Sequence, residues 1–377
     1  MKTVRLYDLY PYDAEFEAVV VSCEEKDGMY DVILDRTLFF PEQGGQTCDT
    51  GTLNGMDVLD VQIQDDIIHH YVQESLHGKV KGSIDFEERY RKMQHHSAEH
   101  VMSSVMIKLF GMGNVGFHLG SQDATVDFER SFSKSDLDSI ENEVNACIYA
   151  NKQIRTYILE DDSLEYRSKK EITGDLRIVN IEDIDICACC APHVKATGEI
   201  GIFKIIRMDK HKKGVRITFI AGKKAFEDYQ IKANNAKDLS VFLKVPPNEI
   251  VEPVYKLMDE TILLKQKITA LKKEILQYKL NALQIEDYHF ILEEDMDMNM
   301  QRIFGNQLLE KTNKVACVFV PVENGYRFVM MAKNNVLEIM NILRKEYTIK
   351  GGGKGNMAQG TIEGDINSIM RSIQSIF

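Results

Sequence analysis

Gln94-His-His-Ser-Ala-Glu-His100 and a second stretch further down the chain, Cys187-Ala-Cys-Cys-Ala-Pro-His193, decide how the rest of this sequence is read. His96 and His100 stand four apart in a run whose apolar residues, Ala98, Val101, Met102, Val105, Met106 and Leu109, recur at helical spacing. Both imidazoles therefore leave the same face of one helix. Cys189 and His193 are also four apart, in a short proline-bearing loop. One thiolate with three imidazoles is an N/S donor set suited to Zn2+ rather than to Mg2+ or Ca2+. A histidine pair at this spacing also occurs as an ordinary surface pair, but three cysteines packed at 187, 189 and 190 point to a bound metal. A zinc that staples the fold and a zinc at which chemistry happens both satisfy the pattern.

The chain has 377 residues and is 44% hydrophobic, enough for two or three domains with their own cores. No apolar run reaches membrane-spanning length, and Met1-Lys-Thr-Val-Arg-Leu-Tyr-Asp8 has no signal-peptide core, so a cytoplasmic protein is expected. The other cysteines, Cys23, Cys48, Cys147 and Cys317, are isolated and do not form a disulfide framework. A net charge of -12 argues against indiscriminate coating of nucleic acid. The basic residues are nevertheless concentrated: Lys204, Arg207, Lys210, Lys212, Lys213 and Arg216 face one acid, Asp209, in a stretch that reads either as a local RNA-binding face or as a solvated hairpin.

Residues 1–86 read as a small β-barrel of short strands, with Asp27-Gly28 and Asn54-Gly55 as hairpin turns. Between them, Gly44-Gly-Gln46 is either a turn or a place where backbone approaches a ligand closely. Residues 87–222 read as an α+β metal-binding domain with an antiparallel sheet. It has a helix to about Phe110, a second helix capped by Ser135, and strands at Ile154–Leu159, Leu176–Ile186, Ile200–Met208 and Val215–Ala221. Residues 223–288 carry a heptad seam (Val254, Leu257, Thr261, Leu264, Ile268, Leu271, Ile275, Tyr278, Ala282) and are expected to form a helical hairpin or coiled coil, open to a homodimer. Residues 289–377 read as a C-terminal α/β domain with strands at Val315–Val320 and Tyr326–Met331. Its run Lys350-Gly-Gly-Gly-Lys-Gly-Asn356 is expected to be a loop able to hold phosphate, without the residue order of a nucleotide-hydrolysing P-loop. Lys350 and Lys354, with Lys212 and Lys213, are the candidate RNA contacts.

In this order the motifs resemble the AlaX family in its long form, free-standing relatives of the editing half of alanyl-tRNA synthetase. Phe39-Phe-Pro-Glu-Gln-Gly-Gly-Gln46 resembles the family's Gly-Gly-Gln segment, His96-Ser-Ala-Glu-His100 its H-x-x-x-H, and His118-Leu-Gly-Ser121 its substrate-side stretch. Cys189-Cys-Ala-Pro-His193 followed by Thr197-Gly-Glu-Ile-Gly201 resembles its Cys-x-x-x-His signature and tail. Gly351-Gly-Gly-Lys-Gly-Asn-Met-Ala-Gln359 resembles the C-terminal domain shared with DHH phosphoesterases. Two departures stand out: Cys190 replaces the glycine of Cys-Gly-Gly-Thr-His, making Cys190 and Cys187 competing thiolates, and Lys354-Gly-Asn356 stands where an Arg-Pro-Asp-like triplet is common.

The resemblance implies an editor without a synthetase, hydrolysing the ester that joins a wrong amino acid, serine first and glycine second, to tRNA(Ala). It implies Zn2+ held by His96, His100, Cys189 and His193, and a helical hairpin and C-terminal domain (289–377) that grip the tRNA body and dimerise. His118 and Gln46 are the candidate substrate contacts. Because His96-Ser-Ala-Glu-His100 also spells H-x-x-E-H, Glu99 is a further catalytic candidate, and an inverzincin-type metallopeptidase is the rival enzyme reading. A noncatalytic, zinc-stapled RNA-binding module is the third. The peptidase leaves the Cys189–His193 cluster, the glycine run and the heptads without a role.

Overall fold

Asp27 and Gly28 (φ 53° and 80°) and Asn54 and Gly55 (φ 52° and 82°) take the paired left-handed conformations of tight hairpin turns, as their sequence requires. A computed structural model describes residues 2–120, 123–159, 165–168 and 176–377, which divide into two compact units, Met1–Leu239 and Ser240–Phe377. The architecture is α+β, with several separate sheets. Among the described residues, no helix is long and apolar enough to cross a membrane.

The first unit opens with β1 (Val4–Arg5), a one-turn helix α1 (Leu6–Leu9), β2 (Glu15–Lys26), β3 (Met29–Leu34), β4 (Arg36–Thr37), β5 (Gly51–Leu53), β6 (Met56–Asp57), β7 (Asp60–Gln64), β8 (Ile67–Val72) and β9 (Lys79–Ile84). Seven of these pair in the order β6-β5-β9-β2-β3-β8-β7. Strand β2 makes the bend: its first half pairs with β9, its second half with β3, and the register shifts between Val20 and Ser22. The expected barrel is thus a half-barrel. Strands β6 and β7 are its edges, and two-residue β6 is too short to close the sheet. Phe39, Phe40, Tyr7, Val32, Leu34 and Val61 fill its concave side.

Helix α2 (Phe86–Phe110) follows, started by Asp85, whose side chain accepts from Glu88 N, and stopped by Gly111 at φ 66°. The rest of the unit is β10 (Gly116–Leu119), β11 (Ala124–Phe128), α3 (Lys134–Tyr149), β12 (Ile154–Ile158), β13 (Arg177–Ile181), β14 (Asp185–Ala188), β15 (Phe203–His211), β16 (Gly214–Ala221) and the greater part of α4 (Gly222–Leu243). Two antiparallel sheets result, β10-β11-β16-β15 and β12-β13-β14. The cap of α3 is Ser133 rather than Ser135. Ser133 and Asp136 exchange side chain-to-backbone hydrogen bonds in a capping box, which fixes the start two residues earlier. The stretch 176–186 is a hairpin, not one strand, because Asp183 turns the chain at φ 61°.

The second unit holds α5 (Val251–Ala282), β17 (Glu286–Leu292), α6 (Met298–Glu310), β18 (Thr312–Val322), β19 (Gly325–Ala332), α7 (Val336–Leu343), β20 (Ile349–Lys354), β21 (Met357–Ile362) and α8 (Ile366–Ser375). Its sheet runs β17-β18-β19-β21-β20. The glycine run is strand, not loop: β20 pairs with β21 along its length, and its glycines admit a close ladder in which a Cβ on Gly351 would meet Gln359 O at 2.2 Å. The seam residues Leu257, Leu264, Ile268, Leu271 and Ile275 lie along α5 and are exposed.

Candidate metal centre

Helix α2 is buried on almost every side between Lys92 and Met106, and each face has its own task. Met93, Val101, Met102, Val105 and Met106 enter the core of the β10-β11-β16-β15 layer. Arg89, Lys92, His96 and His100, three and four apart, form another stripe. The first two fasten the segment after β4. Arg89 hydrogen-bonds Asp49 and Leu38 O, both side chains of the pair being fully buried, and Lys92 Nζ donates to Cys48 O and Thr47 O. Burial pushes the Lys92 ammonium below its ordinary range, and these two carbonyls accept hydrogen bonds from it.

That segment carries Gly44-Gly-Gln46, a two-residue turn closed by Gln43 and Gln46 exchanging backbone hydrogen bonds. Gly44 and Gly45 have φ of 65° and 85°, and a Cβ on Gly45 would meet Phe117 O at 2.3 Å. The backbone that approaches closely here is that of strand β10. The result is a buried Gln46 whose Oε1 lies 2.8 Å from His96 Nδ1 and whose Nε2 is buried with no hydrogen-bond partner among the described residues.

The second half comes from β14 and the loop after it. Alternation along a strand puts Asp185, Cys187 and Cys189 toward α2. Arg177 Nη1 holds the loop from behind, donating to Cys189 O and Ala191 O, both at 2.9 Å. The donor atoms of His96, His100, Cys189 and His193 all lie within 4.8 Å of one another, and Cys189 Sγ is 3.5 Å from His96 Nε2 and from His193 Nε2. A tetrahedral zinc with bonds of about 2.0–2.1 Å to nitrogen and about 2.3 Å to sulfur has an N···S edge of about 3.5 Å, and the two Cys189–histidine distances match that edge.

Each imidazole is anchored through Nδ1: His96 to Gln46, His100 to Asp185 Oδ2 at 3.1 Å, and His193 to Ser97 Oγ at 2.9 Å. Gln46 Oε1 and Asp185 Oδ2 can only accept, so His96 and His100 carry a proton on Nδ1; with Ser97 Oγ accepting from His193 as well, all three Nε2 atoms are the ones turned toward Cys189. At Cys189 burial opposes charge, but the surrounding imidazoles overcome it and hold the thiol well below its ordinary range. Burial takes His193 down to about 3, whereas the Asp185 and Cys189 hydrogen bonds outweigh burial at His100 and raise it to about 9. The competing thiols behave differently. Burial pushes Cys187 and Cys190 up to about 12; Cys190 packs against the half-barrel core, and Cys187 belongs to a second group with His100 and Asp185.

The remaining expected residues are distributed unevenly. Phe117 packs on the His96 ring (centroids 4.9 Å), while its neighbour His118 is exposed on the alternate face of β10. Ser121 lies outside the described residues. Glu99 is not solvated: it is buried, and its Oε1 accepts from Ser103 Oγ (2.7 Å) and Asn114 Nδ2 (2.9 Å). Lys204, Arg207 and Arg216 pair with Glu141, Asp209 and Asp127, leaving Lys210 exposed on β15 and Lys212 and Lys213 exposed at the β15–β16 turn. Lys350 and Lys354 are exposed on edge strand β20. Sequence reading missed Asp185, Ser97 and Arg167. The Asp185-x-Cys187-x-Cys189 alternation was the available signal for the first; Arg167 offers none.

Fold and cluster together define an α+β protein with a buried three-histidine, one-cysteine metal-type site between its longest core helix and a hairpin loop. Residues 176–217 match the family described as threonyl and alanyl tRNA synthetase second additional domain. The chain is 29% identical to the alanyl-tRNA editing protein AlaX-L of Pyrococcus horikoshii over 95% of its own length and 94% of that protein. It is 30% identical to the alanine–tRNA ligase of Pyrococcus abyssi and 28% to that of Methanococcus maripaludis, spanning 43% and 44% of their lengths. The chain is a homologue of the long-form AlaX proteins and of the matching part of those ligases.

Proposed function

We propose that this protein is a trans-editing aminoacyl-tRNA deacylase that hydrolyses mischarged tRNA(Ala), with Ser-tRNA(Ala) the first substrate and Gly-tRNA(Ala) the second. The observation that carries the reading is the convergence of His96, His100, Cys189 and His193 with all three Nδ1 atoms anchored, in a chain colinear with an editing protein. We assign these four residues as Zn2+ ligands on the chemistry of the donor set.

When bound, zinc supplies positive charge able to orient the aminoacyl end, polarise its carbonyl or acidify a water. Four protein donors would complete a tetrahedral shell, so either one of them yields to substrate or the ion only orients. An aminoacyl ester is already labile, and what the site must add is positioning and charge stabilisation. Gln46 Nε2, buried with its donor unused, is suited to a substrate oxygen beside His96. A pocket built on hydrogen bonds to a hydroxyl would favour serine over alanine and glycine, which both lack it, and so ranks serine first. His118 remains a proposed contact on the outer face of β10.

We assign Lys212, Lys213, Lys350 and Lys354 to the tRNA backbone, the exposed α5 seam to a coiled coil or homodimer contact, and residues 289–377 to the domain shared with DHH phosphoesterases. A cytoplasmic location belongs to the same proposal. The test is release of labelled serine from Ser-tRNA(Ala), beside Ala-tRNA(Ala), Ser-tRNA(Ser) and a chelated control. Hydrolysis of the mischarged species alone supports the assignment; no cleavage of any ester by folded, zinc-loaded protein sinks it.

A further inference from the structure

The three histidine anchors are chemically unequal. Gln46 offers a neutral amide and Ser97 a hydroxyl, while His100 faces a carboxylate. Asp185 is buried, and Arg167 clamps it from the far side: Nε lies 3.2 Å from Oδ1 and Nη2 2.7 Å from Oδ2, the same oxygen that meets His100 Nδ1. Arg167 is itself held by the sheet. Its N–H donates to Ile186 O and its carbonyl accepts from Ala188 N, which docks it alongside Cys187.

The side chains thus form a chain of contacts, Arg167 to Asp185 to His100, ending at the inward-facing Nε2. A bidentate guanidinium fixes the plane of a carboxylate. A fixed carboxylate in turn fixes which imidazole nitrogen carries the proton, and it makes the opposite nitrogen a stronger donor. The group His100, Asp185 and Cys187 also has donors close enough for a cation of its own. Arg167 already lies on both oxygens of that carboxylate, so the positive charge there is supplied by the chain.

We propose that Asp185 and Arg167 are positioning residues of the metal centre, setting the tautomer and donor strength of His100 and thereby the affinity for the ion. This rests on the reading of the four-residue cluster as a zinc site. Neither residue touches substrate in this scheme.

The test is zinc affinity, measured by competition with a chromophoric chelator, for wild type, Asp185→Ala, and the double variant Asp185→Asn with Arg167→Gln, which removes both buried charges together. We expect affinity to fall on the order of 10- to 100-fold in both. The metal-free proteins should keep their circular dichroism, and the zinc-induced rise in Tm should shrink. A purely structural role would lower the metal-free Tm and leave zinc affinity unchanged; affinity within about twofold of wild type in folded variants overturns the proposal. A second measurement needs no variant. In zinc-loaded wild type the His100 Nδ1 proton, bound to a carboxylate, should resonate further downfield than those of His96 and His193, and coincident shifts would also overturn it. Wild type that binds no zinc at all defeats the cluster reading itself, a distinct result.

Discussion

Gln46 Oε1 accepts the Nδ1 proton of His96 across 2.8 Å, and through this one hydrogen bond the half-barrel holds a side chain of the metal-type cluster. The bond depends on three fastenings set along α2, in which Arg89 seizes Asp49, Lys92 seizes the Thr47 and Cys48 carbonyls, and His96 meets the amide. Gln46→Ala should weaken zinc binding roughly tenfold, in the range typical of outer partners of ligating histidines. It should also lower kcat/KM for Ser-tRNA(Ala) by more than the zinc loss explains, because the unused Nε2 donor goes too. Chelator competition and single-turnover deacylation at saturating zinc separate the two. Equal losses in both would remove Gln46 from the substrate side.

The three clustered thiols should respond differently to serine. Cys189 is the one whose Sγ lies 3.5 Å from two Nε2 atoms, so Cys189→Ser is expected to abolish tight zinc binding. Cys190→Ser changes a thiol packed against the half-barrel core, and Cys187→Ser one held largely protonated by burial. Both should retain one zinc per chain. Metal content after dialysis, by atomic emission, reads the result directly; loss of zinc in Cys190→Ser with Cys189 intact would reassign the ligand.

How much of this was legible in the sequence depends on how local each signal is. The histidine pair, the hairpin turns at Asp27-Gly28 and Asn54-Gly55 and the long helices are written in neighbouring residues, and they stand where their spacing puts them. The partners of the cluster are not local. Asp185 reaches His100 and Gln46 reaches His96 only after sheet pairing brings distant segments against α2. The glycine run misled for a related reason: glycines that suit a loop also suit two strands in close contact, and only pairing with Met357–Ile362 decides between them.

His70 gives a pH dependence unconnected with the metal site. It is fully buried, with Nδ1 donating to Val32 O and Nε2 2.9 Å from Thr37 Oγ1, and burial lowers its pKa from 6.5 to about 4. The lowered value means that the folded state holds a neutral ring while the unfolded state takes up a proton below 6.5. Stability is complete above that pH and declines as pH falls toward about 4, by roughly 3 kcal/mol at its limit. Urea melts of wild type and His70→Gln across this window should converge as pH drops. A constant difference between them from pH 7 to 4 would contradict the assignment.

Lys212 and Lys213 sit at the β15–β16 turn and Lys350 and Lys354 on strand β20, exposed in each case. The acids that neutralise their neighbours Lys204, Arg207 and Arg216 are engaged with those residues. Against a net charge of -12, such lysines matter only where they meet phosphate directly, since the field of the whole chain repels RNA. If each meets one phosphate, replacing it with glutamine should weaken tRNA binding about equally for all tRNA sequences and reduce the slope of log K against log salt by about 1. Filter binding of uncharged tRNA(Ala) over a salt series measures both quantities. The pairs 212/213 and 350/354 are best changed separately, so that each gives its own slope. A pair whose removal leaves the slope unchanged touches no phosphate, and its charges serve only solubility.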